Sequence, residues 1–194
     1  MSRRLGRTGE LSPEQEELIR RFTGGERVGP GSDFSLQDPS GGLTGPPAAW
    51  MLSPRLGLAL EPLGHTIRFG LSLPRRAHEI VVLLVARAED SDFERWAHTR
   101  AARAAGLSDE EIASLLAGVP LSFDDPVEEA AAELARRLLD GADLEDDAIE
   151  DAAAALGRPV VFEVVTLVGY YRMMALQLRA FDIRPPSTPS TPSS

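Results

Sequence analysis

The sequence predicts an all-α protein of about seven or eight helices. Two observations predict it. Helix-start signals recur along the chain, and a glycine stops most of the segments they open. The two β-branched runs, Ile80 to Val85 and Val160 to Val165, would make a poor sheet as isolated strands. Each continues into helix-favouring residues, Ala86 to Ala88 and Met173 to Leu178. A helix apolar nearly all round is a buried central one.

The elements follow in order. Ser12-Pro13-Glu14 opens the first helix, and Gly24-Gly25 stop it after Phe22. Ser53-Pro54 opens a second running toward Phe69, with Pro62 expected to break or kink it. Pro74 opens a third, which carries Glu79. Asp92 is expected to cap a fourth, which carries Glu94 and His98 and ends at Gly106. Ser108 to Glu111 is a capping box for a fifth, ending at Gly118. Asp124-Asp125-Pro126 opens a sixth, to Gly141. Leu144 to Leu156 is a seventh, and Pro159 to about Phe181 an eighth. Residues 12–184 form a single domain in this reading. Residues 1–11 and the Pro/Ser/Thr tail 185–194 are expected to be disordered, and residues 24–45 to be a long loop.

Composition bounds the function. The 194 residues are 43% hydrophobic and 26% charged, which suits one soluble domain with a sizeable core. A net charge of -10 disfavours binding to nucleic acid or to an anionic membrane. There is no cysteine, which removes disulfides, zinc–thiolate sites and thiol redox chemistry. The longest apolar run, Ile80 to Ala86, is far short of a membrane span, and no secretory pattern opens the chain. A cytoplasmic location is expected.

Chemistry concentrates between Glu79 and His98. Glu94 and His98 at i, i+4 share one helix face, and a carboxylate beside an imidazole can set its orientation and pKa. With Phe93 at the zero angle, Trp96, Ala97 and Ala104 form the expected core stripe. Glu94 and His98 fall on its shoulder above Ala101 and Ala105. Arg100 falls inside the stripe, where a charge needs a partner or an interface between chains. The plainer alternative is a solvated helix-face pair worth a few tenths of a kcal/mol. His65 and His78 read as surface or core-edge residues, and of Tyr170 and Tyr171 only one should face inward. No metal site and no cofactor are expected.

The order of motifs resembles the carboxymuconolactone decarboxylase family, which includes the alkylhydroperoxidase AhpD-like proteins. The matching stretches are Gly45-Pro46, Ser53 to Leu56, Leu73 to Glu79, Val85 to Arg87, Phe93-Glu94 to His98, Ala105 to Ile112, and Val165 to Tyr171. The resemblance covers roughly residues 45–182. It implies an AhpD-like helical bundle that forms homo-oligomers, trimers or hexamers. The family's peroxidase branch carries a Cys-x-x-Cys pair before the histidine and an upstream glutamate. Here Glu79 and His98 match the relay positions, while Ser91 and Glu94 stand where the cysteines would be, so thiol peroxidase activity is not expected. The decarboxylase-like branch carries Tyr-Glu-Trp-x-x-His, against Phe93-Glu94-Arg95-Trp96-Ala97-His98 here.

The resemblance therefore implies a cofactor-free decarboxylase or lyase acting on a small-molecule carboxylate or lactone. His98, Glu94 and Glu79 would be catalytic, and Arg95 and Trp96 would bind substrate. The alternative is a non-catalytic oligomeric binding or scaffold protein that has lost the redox cysteines.

Overall fold

Nine α-helices and no β-strand occur among the described residues of the computed structural model, which are 5, 10–24, 42–141 and 144–186. The helices are α1 (Pro13–Gly24), α2 (Pro46–Trp50), α3 (Pro54–Phe69), α4 (Arg75–Ala88), α5 (Asp92–Ala104), α6 (Asp109–Ala117), α7 (Pro126–Asp140), α8 (Asp146–Leu156) and α9 (Arg158–Ala180). The all-α expectation holds, with α2 as an element the sequence reading did not contain. The disorder expected at both termini and the loop expected over 24–45 fall largely outside the described residues.

Helix α4 is the centre of the molecule. Every residue from Ala77 to Ala86 is buried, and α5, α6, α7 and α9 pack around it. Burying each of its Ile, Val and Leu side chains contributes about 1.5–3 kcal/mol. The β-branched run is thus a helix because it is wrapped by other helices, as its continuation into Ala86 and Ala88 implied. Polar clamps fix the wrapping. Arg76 donates from Nε to Glu128 at 2.8 Å on α7, to the Gly106 carbonyl at 2.6 Å, and to Glu111 on α6. Glu163 of α9 accepts from the backbone N–H of Ser72 and Leu73, just before α4 begins.

A second apolar cluster joins Leu18 and Phe22 of α1, Trp50 of α2, Leu60 of α3 and Met174 of α9. Tyr170 packs against both clusters. Helix α9 is long and apolar enough to cross a membrane. Its buried stripe, Val161, Val164, Leu167, Val168 and Tyr171, instead serves the main core.

Three local expectations change. Pro62 does not end α3, which runs through it to Phe69; its ring lies on the exposed face, and Gly57, Leu60, Gly64 and Ile67 bury the opposite stripe. The cap of α5 is Ser91 rather than Asp92. The Ser91 hydroxyl accepts from the Glu94 N–H, which leaves Asp92 as an acid in the first turn. Helix α8 begins at Asp146, two residues after Leu144.

Gly45 ties this scaffold to the region beside α5. It precedes α2 at φ 64°, and a Cβ there would sit 2.5 Å from Cζ of Phe93. Gly141 has a similar φ of 72° but nothing within 4 Å of such a Cβ. Gly141→Ala should therefore cost only the left-handed backbone penalty, about 1–2 kcal/mol. Gly45→Ala should cost about 1 kcal/mol or more beyond that, because the Phe93 ring must move. Urea denaturation of the two variants checks the difference, and equal destabilisation would contradict it.

Candidate functional site

Glu79, Glu94 and His98 meet in the interior, with exposures of 1%, 3% and 4%. Two helices bring them together. A tight turn joins α4 to α5: Asp90 takes a left-handed φ of 50°, and the Ser91 N–H bonds back to the Ala86 carbonyl. The chain therefore reverses, and α5 packs along α4 with His98 opposite Glu79.

The geometry assigns protons. Nδ1 of His98 lies 2.7 Å from Oε2 of Glu79. Burial works against an ionised Glu79. The facing His98, and His78 after it, outweigh burial and hold this carboxyl well below the usual range. An ionised carboxylate only accepts, so Nδ1 of His98 carries the proton and donates it to Glu79. In the neutral ring Nε2 is then the bare nitrogen, and it lies 3.4 Å from Oε2 of Glu94. Burial pushes the Glu94 carboxyl upward, offset in part by His98 and Arg68. One imidazole thus stands between an anionic carboxylate and a carboxyl that tends to keep its proton.

His78 completes the inner layer. It is buried at 3% exposure, not at the surface or core edge as expected. Its Nδ1 lies 3.3 Å from Oε1 of Glu79, without the alignment of a hydrogen bond. Tyr171 stands edge-on to His98, with ring centroids 4.9 Å apart and planes at 89°. Burial, and then the nearby Glu94, push its phenol well above the ordinary tyrosine value, so it stays protonated.

A cavity of about 60 Å³ opens onto this group. Its walls are Pro46, Pro47 and Trp50 from α2, Gly64 and Arg68 from α3, Phe93, Glu94 and His98 from α5, and Tyr170, Tyr171 and Met174 from α9. Glu79 lies behind His98 and does not line the cavity. Trp50 is fixed there by donating from Nε1 to Gln177 at 2.9 Å. Since Nδ1 and Nε2 of His98 face separate carboxylates, those carboxylates do not converge on one ion. Among the described residues no cluster of three or more His, Asp and Glu could hold a metal.

The structure brings together the three residues expected to be catalytic, but not the two expected to bind substrate. Arg95 pairs with Asp90 at 2.7 Å and with Asp92 at 3.4 Å, and it does not line the cavity. Trp96 is half-buried against Phe93 and carries the Arg100 guanidinium 4.5 Å above its ring, also away from the cavity. Arg100 is exposed and Ala104 is exposed, so the apolar stripe drawn through Phe93 and Trp96 is misplaced. The buried face is Phe93, Glu94, Ala97, His98, Ala101 and Ala102, and the Glu/His pair lies within it.

Sequence reasoning assigned no role to Tyr171 and Trp50, and Arg68 was only one of the scattered arginines that could face a carboxylate. Both tyrosines line the cavity, although only Tyr171 is fully buried.

The two carboxylates have opposite linkage to pH. Glu79, depressed when folded, contributes stability that is present above about 4.5 and lost as the pH falls toward its folded pKa. Glu79→Gln should cost about 3 kcal/mol at neutral pH, a deficit that shrinks in acid. Glu94, raised when folded, contributes stability that is full below about 4.5 and declines as the pH rises toward its folded pKa. Glu94→Gln should therefore gain on the parent protein as the pH rises. Urea midpoints of both variants between pH 2.5 and 8 check the signs, and parallel trends would refute the assignment.

The sequence model described as the Carboxymuconolactone decarboxylase family matches residues 54–137. That span holds α3 to α6 and most of α7, and with them Arg68, Glu79, Glu94 and His98. No curated protein and no solved structure gives a significant match. Over this segment the chain is similar to the carboxymuconolactone decarboxylase family.

Proposed function

We propose that the protein is a cofactor-independent acid/base enzyme, acting beside a carbonyl of a small lactone or keto acid. The observation that carries this reading is the buried Glu79–His98–Glu94 chain ending on a cavity. Glu79 fixes the His98 tautomer and supports the imidazolium when it forms, leaving Nε2 as the nitrogen that takes or gives a proton. Glu94 keeps a proton in reserve beside Nε2, and Tyr171 packs the ring edge-on. In a decarboxylation the bond between the carboxyl group and the carbon next to the carbonyl breaks. Carbon dioxide leaves, the electron pair becomes an enolate, and a proton from the His98–Glu94 pair ends on that carbon. Neither redox change nor a co-reactant is needed.

Homo-oligomerisation in the cytoplasm belongs to the same proposal. The association is supported by the apolar side chains exposed on α3 and α9, including Leu56, Leu63 and Phe162, the last at 72% exposure.

His98→Gln keeps an amide in place of the ring but cannot exchange a proton near neutral pH. It should lower kcat/KM by roughly 10²–10⁴ on any lactone or keto acid the parent accepts. Unchanged turnover would exclude the role given to His98. Failure of the parent to turn over any member of a broad panel would favour a binding protein of the same fold.

A further inference from the structure

Tyr171 carries a hydroxyl that packing does not explain. The residue is only 6% exposed, and it lines the cavity with Glu94 and His98. Its ring meets His98 and His78 edge-on, with centroids 4.9 and 6.2 Å away. Those contacts belong to the ring, and a phenylalanine would make them equally well. The hydroxyl has no hydrogen-bond partner among the described residues, yet it is not sealed off as the His78 nitrogens are. A hydroxyl taken out of water without a partner costs stability, so its presence asks for a reason outside the fold. The other polar groups on the wall are engaged. Trp50 donates to Gln177, His98 donates from Nδ1 to Glu79, and Glu94 faces Nε2 of His98. Arg68 and Tyr170 have interactions of their own. We propose that Tyr171 is a further catalytic residue, whose hydroxyl donates to the substrate carbonyl oxygen and steadies the negative charge that gathers there. The proposal rests on the acid/base reading of the same cavity.

The chemistry calls for such a donor. Breaking a bond to the carbon beside a carbonyl sends its electron pair onto the carbonyl oxygen. When the pair returns, the carbonyl re-forms and the carbon takes a proton from the His98–Glu94 pair. Oxygen and reacting carbon are separated by a single atom, so the groups that serve them must be neighbours, as the rings of Tyr171 and His98 are. Burial, and then Glu94, raise the phenol well above the ordinary tyrosine value, so it donates without surrendering its proton. Tyr171 thus serves the oxygen and His98 the carbon. A donor already in place needs no reorientation as the charge develops.

The variant Tyr171→Phe removes the hydroxyl and keeps the ring. The probe is γ-butyrolactone, isotopically labelled at its carbonyl carbon and presented to the full chain. Infrared spectra of the bound probe should show a lower carbonyl frequency in the parent than in Tyr171→Phe, since a donated hydrogen bond weakens the carbonyl bond. In heavy water the parent should exchange the hydrogens beside that carbonyl, and Tyr171→Phe should do so about 10²–10³-fold more slowly. The melting temperature of Tyr171→Phe should equal or exceed the parent's, because the lost hydroxyl had no partner in the fold. Fluorotyrosine at position 171, a stronger donor on the same ring, should lower the frequency further, and it decides where the Phe variant does not fold. His98→Gln should keep the low frequency and lose the exchange, which separates this proposal from the acid/base reading. A low frequency without exchange in the parent would sink the acid/base reading, and the catalytic role of Tyr171 with it, while the hydrogen bond stood. One carbonyl frequency for the parent and folded Tyr171→Phe, an undiminished exchange rate, or no binding of the lactone by the parent would overturn the proposal.

Discussion

A carboxylate ionised at the centre of an apolar helix is the constraint from which the local architecture follows. Taking Glu79 out of water costs several kcal/mol, and only a well-placed partner offsets it. The His98 ring supplies that partner at 2.7 Å, with His78 beside it and Arg75 3.8 Å away at the rim. For His98 to reach Glu79, α5 must dock on α4 in one register, which the turn at Asp90 and the cap at Ser91 set. That register also fixes Phe93 and Glu94, one turn earlier on α5. The Phe93 ring then occupies the place a Cβ of residue 45 would need, so Gly45 can lead α2 across the mouth of the cavity. A cost met at one buried hydrogen bond thereby organises three helices.

The same constraint explains what the sequence did and did not disclose. Helix ends were legible because caps are chemical. The Ser108–Glu111 box, the Asp125 cap and the Gly118 stop all act through backbone groups within three or four residues. The face of α5 was misread for the converse reason. Hydrophobic periodicity assigns apolar residues to the interior, so Phe93 and Trp96 drew the stripe toward themselves. The real buried face is centred near Ala101 and contains two ionisable groups, which a hydropathy pattern counts as exposed. His78 went astray the same way, since its burial is decided by Glu79 and Tyr171. Helix α2 was missed because five residues after a Gly/Pro-rich stretch carry no period to detect. Arg68, Trp50 and Tyr170 are far apart in sequence, and only the packing of α2, α3 and α9 places them around one cavity.

The absence of cysteine has a positive counterpart in the geometry. Ser91 and Glu94 occupy the positions where the resembling peroxidases carry their redox pair. Neither is vacant in a structural sense. Ser91 is buried and caps α5, while Glu94 faces Nε2 of His98. A serine at the cap keeps the helix start that a thiol would satisfy more weakly, because a hydroxyl is the better acceptor for the Glu94 N–H. A carboxyl at the second position changes what the histidine works with. A thiol there would hand electrons to a substrate, whereas Glu94 can only give or take a proton. The arrangement around His98 is therefore chemically narrower than a redox site, though the ring keeps its anchoring glutamate.

The division between the matched segment and the rest of the chain carries a consequence for specificity. Residues 54–137 contain Glu79, Glu94 and His98, the proposed acid/base chain, and Arg68. More than half of the cavity-lining residues do not lie there: Pro46, Pro47 and Trp50 come before the segment, and Tyr170, Tyr171 and Met174 come after it. Proton transfer needs only a few atoms held to within tenths of an ångström, and α4 and α5 supply these from a rigid core. The shape of what can enter is set by side chains whose own positions depend on the α2–α9 contact, including the Trp50–Gln177 hydrogen bond. Two helices can hold a proton relay fixed while the flanking helices vary the wall around it. The small volume here, about 60 Å³ behind Trp50 and two tyrosines, reflects the bulk of those flanking side chains. Differences in substrate size between proteins sharing this relay should therefore be sought at the positions of Trp50, Tyr170 and Met174 before the relay itself.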